Sequence, residues 1–257
     1  FGLPPPLYAT LPVILGSDGR KKLSKRDGAK DLLEYKAEGY LPDAFINFLA
    51  FLGWNPGNNT EIFSREELVK VFDIERVQKS GAQMSAEKLD WINKEHLKLL
   101  PKEEVEKNIL EWLPEPLRRS SGKFPEARLR GILGIIFERI SKWSDVKDMA
   151  LAGELDFFFK QPEYEREKLI FKNSTQEKIS ENLKIIIKAL ENIDENNFTT
   201  LNIKDTLMLI ANMEGNRGEV LHPVRYALSG RDKSPDPFII ASILGKNETI
   251  SRLQKAI

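Results

Sequence analysis

The chain has 257 residues and no cysteine, with Lys+Arg and Asp+Glu balanced at 39 each. Disulfides, thiolate zinc sites and cysteine nucleophiles are therefore excluded. Neutral balance excludes polyanion binding by bulk charge, so any nucleic-acid contact must be local and shape-specific.

No apolar run approaches the length of a membrane span. The opening "FGLPPPLYATLPVILG" lacks the basic region and small-residue cleavage site of a signal peptide. It also lacks an initiator methionine, and the expectation is a fragment that begins in mid-domain. Pro4 to Pro6 read as stiff and extended, "LPVILG" as a short strand ending at Gly16, and "GSDG" as a turn. A cationic loop, "GRKKLSKRDG", follows.

From there the pattern is helical. "LPDAFINFLAFLGW" predicts a helix with Pro42 in its first turn and Gly53 as its stop. Its apolar residues lie nearly all round, which predicts burial on most sides. "SREELVKVF" opens on a capping box, Ser64 with Glu67, and "SAEKLDWIN" opens on Ser85. A boundary is expected near Leu100–Pro101, where "LPKEEVEKNILEWL" starts a helix with acids in its first turn. "PEPLRRSSGKFP" reads as a linker. Pro125 begins the next helix, whose Gly131 and Gly134 would admit a closely packed neighbour. "STQEKISENLKIIIKALENI" is the clearest amphipathic helix: Ser174 and Glu177 suggest its cap, and Ile179, Leu183, Ile186, Ile187 and Leu190 its buried stripe. "NIKDTLMLIANM" and "GEVLHPVRYALSG" follow. "SPDPFIIASILG" has Ser234 as cap, Pro235 at its first position and Gly245 as stop, and "NETISRLQKAI" is a last helix behind Asn247. The fold class is mainly α, a short mixed α/β segment followed by helical bundles.

Few residues offer metal or redox chemistry. His96 and His222 are read as structural or surface residues, and Trp54, Trp91, Trp112 and Trp143 as core rather than base-stacking platforms. The cationic loop is the one concentrated feature. By spacing alone a solvated basic loop, or a K/R-rich import address, is the commoner reading. The sharper reading is a lid that grips phosphate. Leu23 would anchor inward, while Lys22, Ser24 and Lys25 face a ligand. Lysine spreads charge over phosphate oxygens, and flanking glycines make a hinge cheap.

Context favours the sharper reading. "VILGSDGRKKLSKRDGA" resembles the signature loop of glutamyl-tRNA synthetases, which are class I aminoacyl-tRNA synthetases. "EYKAEGYLPDAFINFLAFLGWNPG", "EIFSREELVKVFDIERVQKSGAQMSAEKLDWIN" and "VRYALSGRDKSPDPFIIASILGK" resemble the same family in the same order. Two positions depart from it: Asp27 and Thr10 stand where many members carry histidine. The resemblance implies three segments: 1–30, the end of the catalytic domain; 31–100, a stem-contact domain; and 101–257, an α-helical anticodon-binding domain. It implies ATP as substrate, Mg2+ accompanying ATP, no zinc, and tRNA(Glu) and L-glutamate as partners. The glutamate pocket would lie in an N-terminal half that this sequence lacks.

Lys22, Leu23, Ser24, Lys25 and Arg26 would form the loop, with Lys22, Leu23 and Lys25 at ATP and Lys22, Ser24 and Lys25 acting in catalysis. Arg225, Ser234 and Pro235 would lie at the anticodon-contacting end, and Arg139 would read the last anticodon base; a solvated charge is the alternative for either arginine. The helical C-terminal part favours the bacterial or organellar glutamyl type over glutaminyl relatives. The implied function is ATP-dependent ligation of glutamate to tRNA(Glu) through glutamyl-adenylate, by a cytoplasmic monomer without membrane contact. This half alone is expected to be inactive. A non-catalytic tRNA-binding module acting with a partner is the alternative.

Overall fold

Local side-chain chemistry decides where the helices begin. The computed structural model describes residues 2, 4–16, 18–24, 26, 29–172, 174–214 and 216–257. By their contacts the residues gather into two units, 1–112 with 139–146 and 113–138 with 147–257. That division runs differently from the three segments implied by the resemblance.

In the first unit, strand β1 (Ile14–Leu15) pairs in parallel with β2 (Ala82–Gln83), Ile14 opposite Ala82. The pairing is close because residue 81 is glycine: a Cβ there would sit 2.9 Å from the Val13 carbonyl oxygen. The strand is shorter than "LPVILG" suggests. Helices α1 (Leu32–Ala37), α2 (Pro42–Phe51), α3 (Arg65–Val71), α4 (Ala86–Leu97) and α5 (Lys102–Trp112) follow. Asp31 with Glu34, and Ser64 with Glu67, form reciprocal capping boxes, each satisfying amides that the first helical turn leaves unpaired. Ser85 caps α4 by accepting from the Lys88 amide at 3.1 Å.

One expectation for α2 holds and one fails. It ends at Phe51 with Leu52 as its C-cap, so Gly53 stands just past the cap, where a stop glycine belongs. It is, however, buried on one side only. Ala44 and Phe48 pack with Leu89 and Ile92 of α4, whereas Ile46 and Leu49 remain 38% and 44% exposed.

The segment 139–146 docks on this unit through backbone and side chain together. Asn93 Nδ2 donates to the Ser141 carbonyl at 2.6 Å, and the Ser144 amide donates to the Glu38 carbonyl at 3.0 Å. Gly39, at φ +78°, allows it: a Cβ there would lie 2.6 Å from Trp143 Cβ and 2.9 Å from Trp112 Cζ2.

In the second unit the supposed linker is helical: Glu115–Ser121 forms α6. Its prolines cost nothing there, since proline suits the ends and first turn of a helix. Helix α7 (Glu126–Arg139) begins behind Pro125, and its last residue passes into the first unit, as does the start of α8 (Ser144–Leu151). Gly131 does admit a neighbour: a Cβ would meet Ile243 at 2.7 Å, whereas Gly134 faces open space. A short α9 (Asp156–Phe159) leads to α10 (Gln176–Glu191), where all five residues of the expected stripe are buried. Each contributes about 1.5–3 kcal/mol by leaving water. Its cap is Thr175, whose hydroxyl accepts from the Lys178 amide, not Ser174, whose buried Oγ has no partner among the described residues.

Helices α11 (Thr200–Met213), α12 (Arg217–Ser229), α13 (Pro237–Leu244) and α14 (Lys246–Lys255) complete the unit. The start of α13 lies two residues beyond the expected one, with Asp236 as cap and Pro237 in the first turn. A residue before proline is kept out of the helical region, and Asp236 accordingly sits at φ −59°, ψ 144°. Gly245, at φ +82°, stops α13 as expected and also caps α14, which therefore begins before Asn247.

Candidate functional site

The cationic loop leaves β1 as a tight hairpin. The Asp18 carboxylate accepts from the amides of Arg20 and Lys21 at 3.0 and 3.1 Å, and Gly19 takes φ +64°. These bonds, that of Arg20 first, hold the Asp18 carboxyl below its usual value. The chain then returns antiparallel, Lys22 opposite Leu15, and the Leu23 amide donates to the Ile14 carbonyl at 2.8 Å. The Ala29 amide donates to the Ser24 carbonyl at 3.1 Å. The loop thus springs from a neck whose two sides are bonded together.

Leu23 and Ser24 are half-buried, while Lys22 and Arg26 are exposed. Lys25, expected at ATP and in catalysis, lies outside the described residues, as does Asp27.

The second candidate end follows α12. Arg225 Nη1 donates to the Asp232 carbonyl at 2.6 Å, and Ser234 Oγ donates to the carbonyl of Pro235 at 3.2 Å. Arg225, Ser234 and Pro235 therefore belong to one loop system. Gly230 turns the chain into it at φ +62°, where a Cβ would meet Pro162 Cβ at 2.7 Å. Arg139 is exposed at the end of α7 and is counted with the first unit, whereas this loop is counted with the second.

Two arginines that the sequence reading did not single out hold this end together. Arg231 Nη1 donates to the Gly153 carbonyl at 2.8 Å. Arg252, 1% exposed, donates from Nη1 to the carbonyls of Phe157 and Leu228 at 2.7 and 2.8 Å, and from Nε to Glu248 at 2.7 Å. Glu248 and Arg252 at four-residue spacing read as an ordinary surface pair, so only tertiary packing reveals the buried role. Of the tryptophans, Trp54 and Trp143 are buried as expected; Trp91 is 40% exposed, with the Lys88 ammonium 4.2 Å over its ring. His96 Nε2 lies 3.0 Å from Asn47 Oδ1, and His222 Nε2 lies 2.9 Å from the Lys168 carbonyl, so both histidines make structural contacts. Among the described residues no three His, Cys, Asp or Glu side chains cluster as metal ligands, and no helix is long and apolar enough to cross a membrane.

Residues 86–257 match the family model for an anticodon binding domain, and residues 1–91 that for the catalytic domain of class I tRNA synthetases (E and Q). The chain belongs to that anticodon-binding family, and its opening third carries class I catalytic sequence.

The individual relatives are glutamate–tRNA ligases. That of Clostridium botulinum is 36% identical over 261 residues, covering 100% of this chain and 51% of the relative. That of Flavobacterium johnsoniae is 37% identical over 273 residues, covering 100% and 52%. The solved glutamate–tRNA ligase of Elizabethkingia meningosepticum, in complex with its amino acid, superposes with TM-score 0.79 at 32% identity, over 99% of this chain and 52% of that one. The chain thus spans about half the length of the relatives it matches, and corresponds to the C-terminal part of a tRNA ligase.

Proposed function

We propose that this chain supplies the signature loop and the tRNA-recognising half of a ligase that joins glutamate to tRNA(Glu) through glutamyl-adenylate. The observation that carries the reading is the bonded neck at Leu23, Ser24 and Ala29, which presents a cationic loop within sequence that matches a class I catalytic domain. The same match disfavours a purely non-catalytic tRNA module.

In adenylate formation the glutamate carboxylate attacks the α-phosphorus of ATP and pyrophosphate leaves with its bonding electrons. Negative charge grows on the leaving phosphates, and preorganised cations act most strongly where charge develops. Lys22 and Lys25 take that role, Ser24 adds its hydroxyl or backbone amide, and Leu23 holds the neck beside the nucleotide. Mg2+ would accompany ATP and offset part of the charge of its phosphates. Arg225, Ser234 and Pro235 contact the anticodon, and Arg139 reads its last base. The assembled protein works as a cytoplasmic monomer.

The test is binding of this chain to tRNA(Glu), tRNA(Gln) and a tRNA(Glu) with its last anticodon base changed, at one salt concentration. Preference for tRNA(Glu) that the base change abolishes supports the assignment, and loss of that preference in Arg139→Ala supports the reader. Equal binding to all three withdraws it. Pyrophosphate exchange should be absent from this chain alone, and its presence would overturn the division of labour.

A further inference from the structure

The turn that follows Arg139 is pinned to the first unit at each residue from Ile140 to Ser144. Ile140 is 0% exposed and Trp143 5%. The Ser141 carbonyl accepts from Asn93 Nδ2 at 2.6 Å. The amides of Ser141 and Lys142 donate to Asp145 Oδ2 at 2.7 and 3.1 Å, and the Ser144 amide is held by the Glu38 carbonyl. Asn93, on α4 and fully buried, also accepts from the Leu41 amide through Oδ1 at 2.8 Å, so one side chain ties the cap of α2 to the turn. Lys142 Nζ lies 3.2 Å from Asp145 and 3.5 Å from Asp90, and Asp90 accepts from the Tyr40 hydroxyl. Burial works against this ammonium, but the Asp145 and Asp90 carboxylates outweigh it and hold its pKa above the ordinary lysine value. Arg139 itself is exposed, one residue before this frame.

We infer that Asn93 and Lys142 are positioning residues for reading the last anticodon base: they fix the backbone at 141 and 142 and so aim the Arg139 guanidinium. The inference rests on the proposed role of Arg139. Helix ends fray, and a long side chain at a frayed end has many directions open to it. Choosing one base edge over another needs the donor held within about 0.5 Å by neighbours that are themselves locked. The turn supplies such neighbours. Drawing a lysine out of water between two carboxylates is a poor route to stability, since apolar residues of like volume commonly do as well. What a satisfied polar network does add is one fixed arrangement of the groups it touches. A solvated charge at position 139 would need no such frame.

A matched pair of asparagines separates positioning from plain stability. Asn47 is as fully buried as Asn93, in the same unit, but bridges the Phe63 amide and the Glu61 carbonyl, neither of which lies in the turn. Asn93→Ala, Lys142→Met and Asn47→Ala are made in this chain, each alone and each with Arg139→Ala. Tryptophan emission in urea first establishes that the first unit of each variant is folded, and Lys142→Met carries the test if Asn93→Ala does not fold. Affinities for tRNA(Glu) and for tRNA(Glu) with its last anticodon base changed are then measured at one salt concentration. Asn93→Ala and Lys142→Met should each lower the ratio of the two affinities at least about fivefold, the scale of one lost base-edge contact. The fall should come from weaker binding of tRNA(Glu), with binding of the changed tRNA unaltered. Asn47→Ala should destabilise the unit and leave the ratio alone, and in the Arg139→Ala background no variant should lower it further. An unchanged ratio in either folded variant would overturn the inference, as would equal loss for both tRNAs or a like fall in Asn47→Ala. In those cases the turn is a structural staple, and the functional reading stands as long as Arg139→Ala abolishes the preference. No preference in the unaltered chain fails the reading of Arg139 and the inference with it.

Discussion

Removing the buried guanidinium of Arg252 should be the most damaging single change in the second unit. Arg252→Ala leaves the carbonyls of Phe157 and Leu228, now bonded at 2.7 and 2.8 Å, without their donor. An orphaned buried carbonyl costs about 1–3 kcal/mol, and breaking a buried charged pair costs about 3–5 kcal/mol. Glu248 is itself 38% exposed and can be rehydrated, so the carbonyls and the void dominate. The expected loss is about 3–5 kcal/mol, which at about 3 °C per kcal/mol lowers the melting point by about 10–15 °C. All four tryptophans, at 54, 91, 112 and 143, belong to the first unit. Far-ultraviolet ellipticity follows the helices of both units, and tryptophan emission follows the first alone, so a transition seen in ellipticity but not in emission reads the damaged unit. Arg252→Met should recover part of the loss, since it fills the volume but cannot donate. A cost below about 1 kcal/mol for the alanine variant would refute the view that this arginine organises the end carrying Arg225.

Gly39→Ala forces a side chain into a left-handed conformation and onto Trp143, and about 2–4 kcal/mol should be lost from left-handed strain and overpacking together. Tryptophan emission during urea unfolding measures that directly. His96 is buried against Asn47, and burial lowers its pKa from 6.5, with Asp43 opposing in part. The folded state then binds fewer protons than the unfolded one, so the contribution is complete above pH 6.5 and falls away as the solution is acidified below it. Denaturation midpoints between pH 8 and pH 5 should show that slope, and His96→Gln should flatten it. Asp18 is depressed by the amides of Arg20 and Lys21, so its turn should be intact above the ordinary carboxylate range and loosen as pH falls through the lowered value. Amide exchange at residues 20 and 21 follows this, and Asp18→Ala should show the loosened state at all pH values.

What the sequence disclosed and what it hid divide along a physical line. Where an outcome depends on neighbours within one helical turn, the reading was sound: the Ser64–Glu67 box and the five-residue stripe of α10 are local chemistry. Where two local signals compete, it slipped by a residue or two. Ser174 and Thr175 are both plausible caps, and the backbone angle that favours Thr175 is invisible in composition. Ser234 and Asp236 are likewise both cap formers, and only the second proline excludes the earlier start. Where an outcome depends on a distant partner, nothing local could reveal it. Arg252 reads as a surface charge until Phe157 and Leu228 arrive, and Gly39 reads as a turn glycine until Trp112 and Trp143 close over it. The apolar excess of α2 shows the same limit from the other side. Periodicity marks Ile46 and Leu49 as apolar, but only the packing of Ala44 and Phe48 on Leu89 and Ile92 shows which side of the helix is covered.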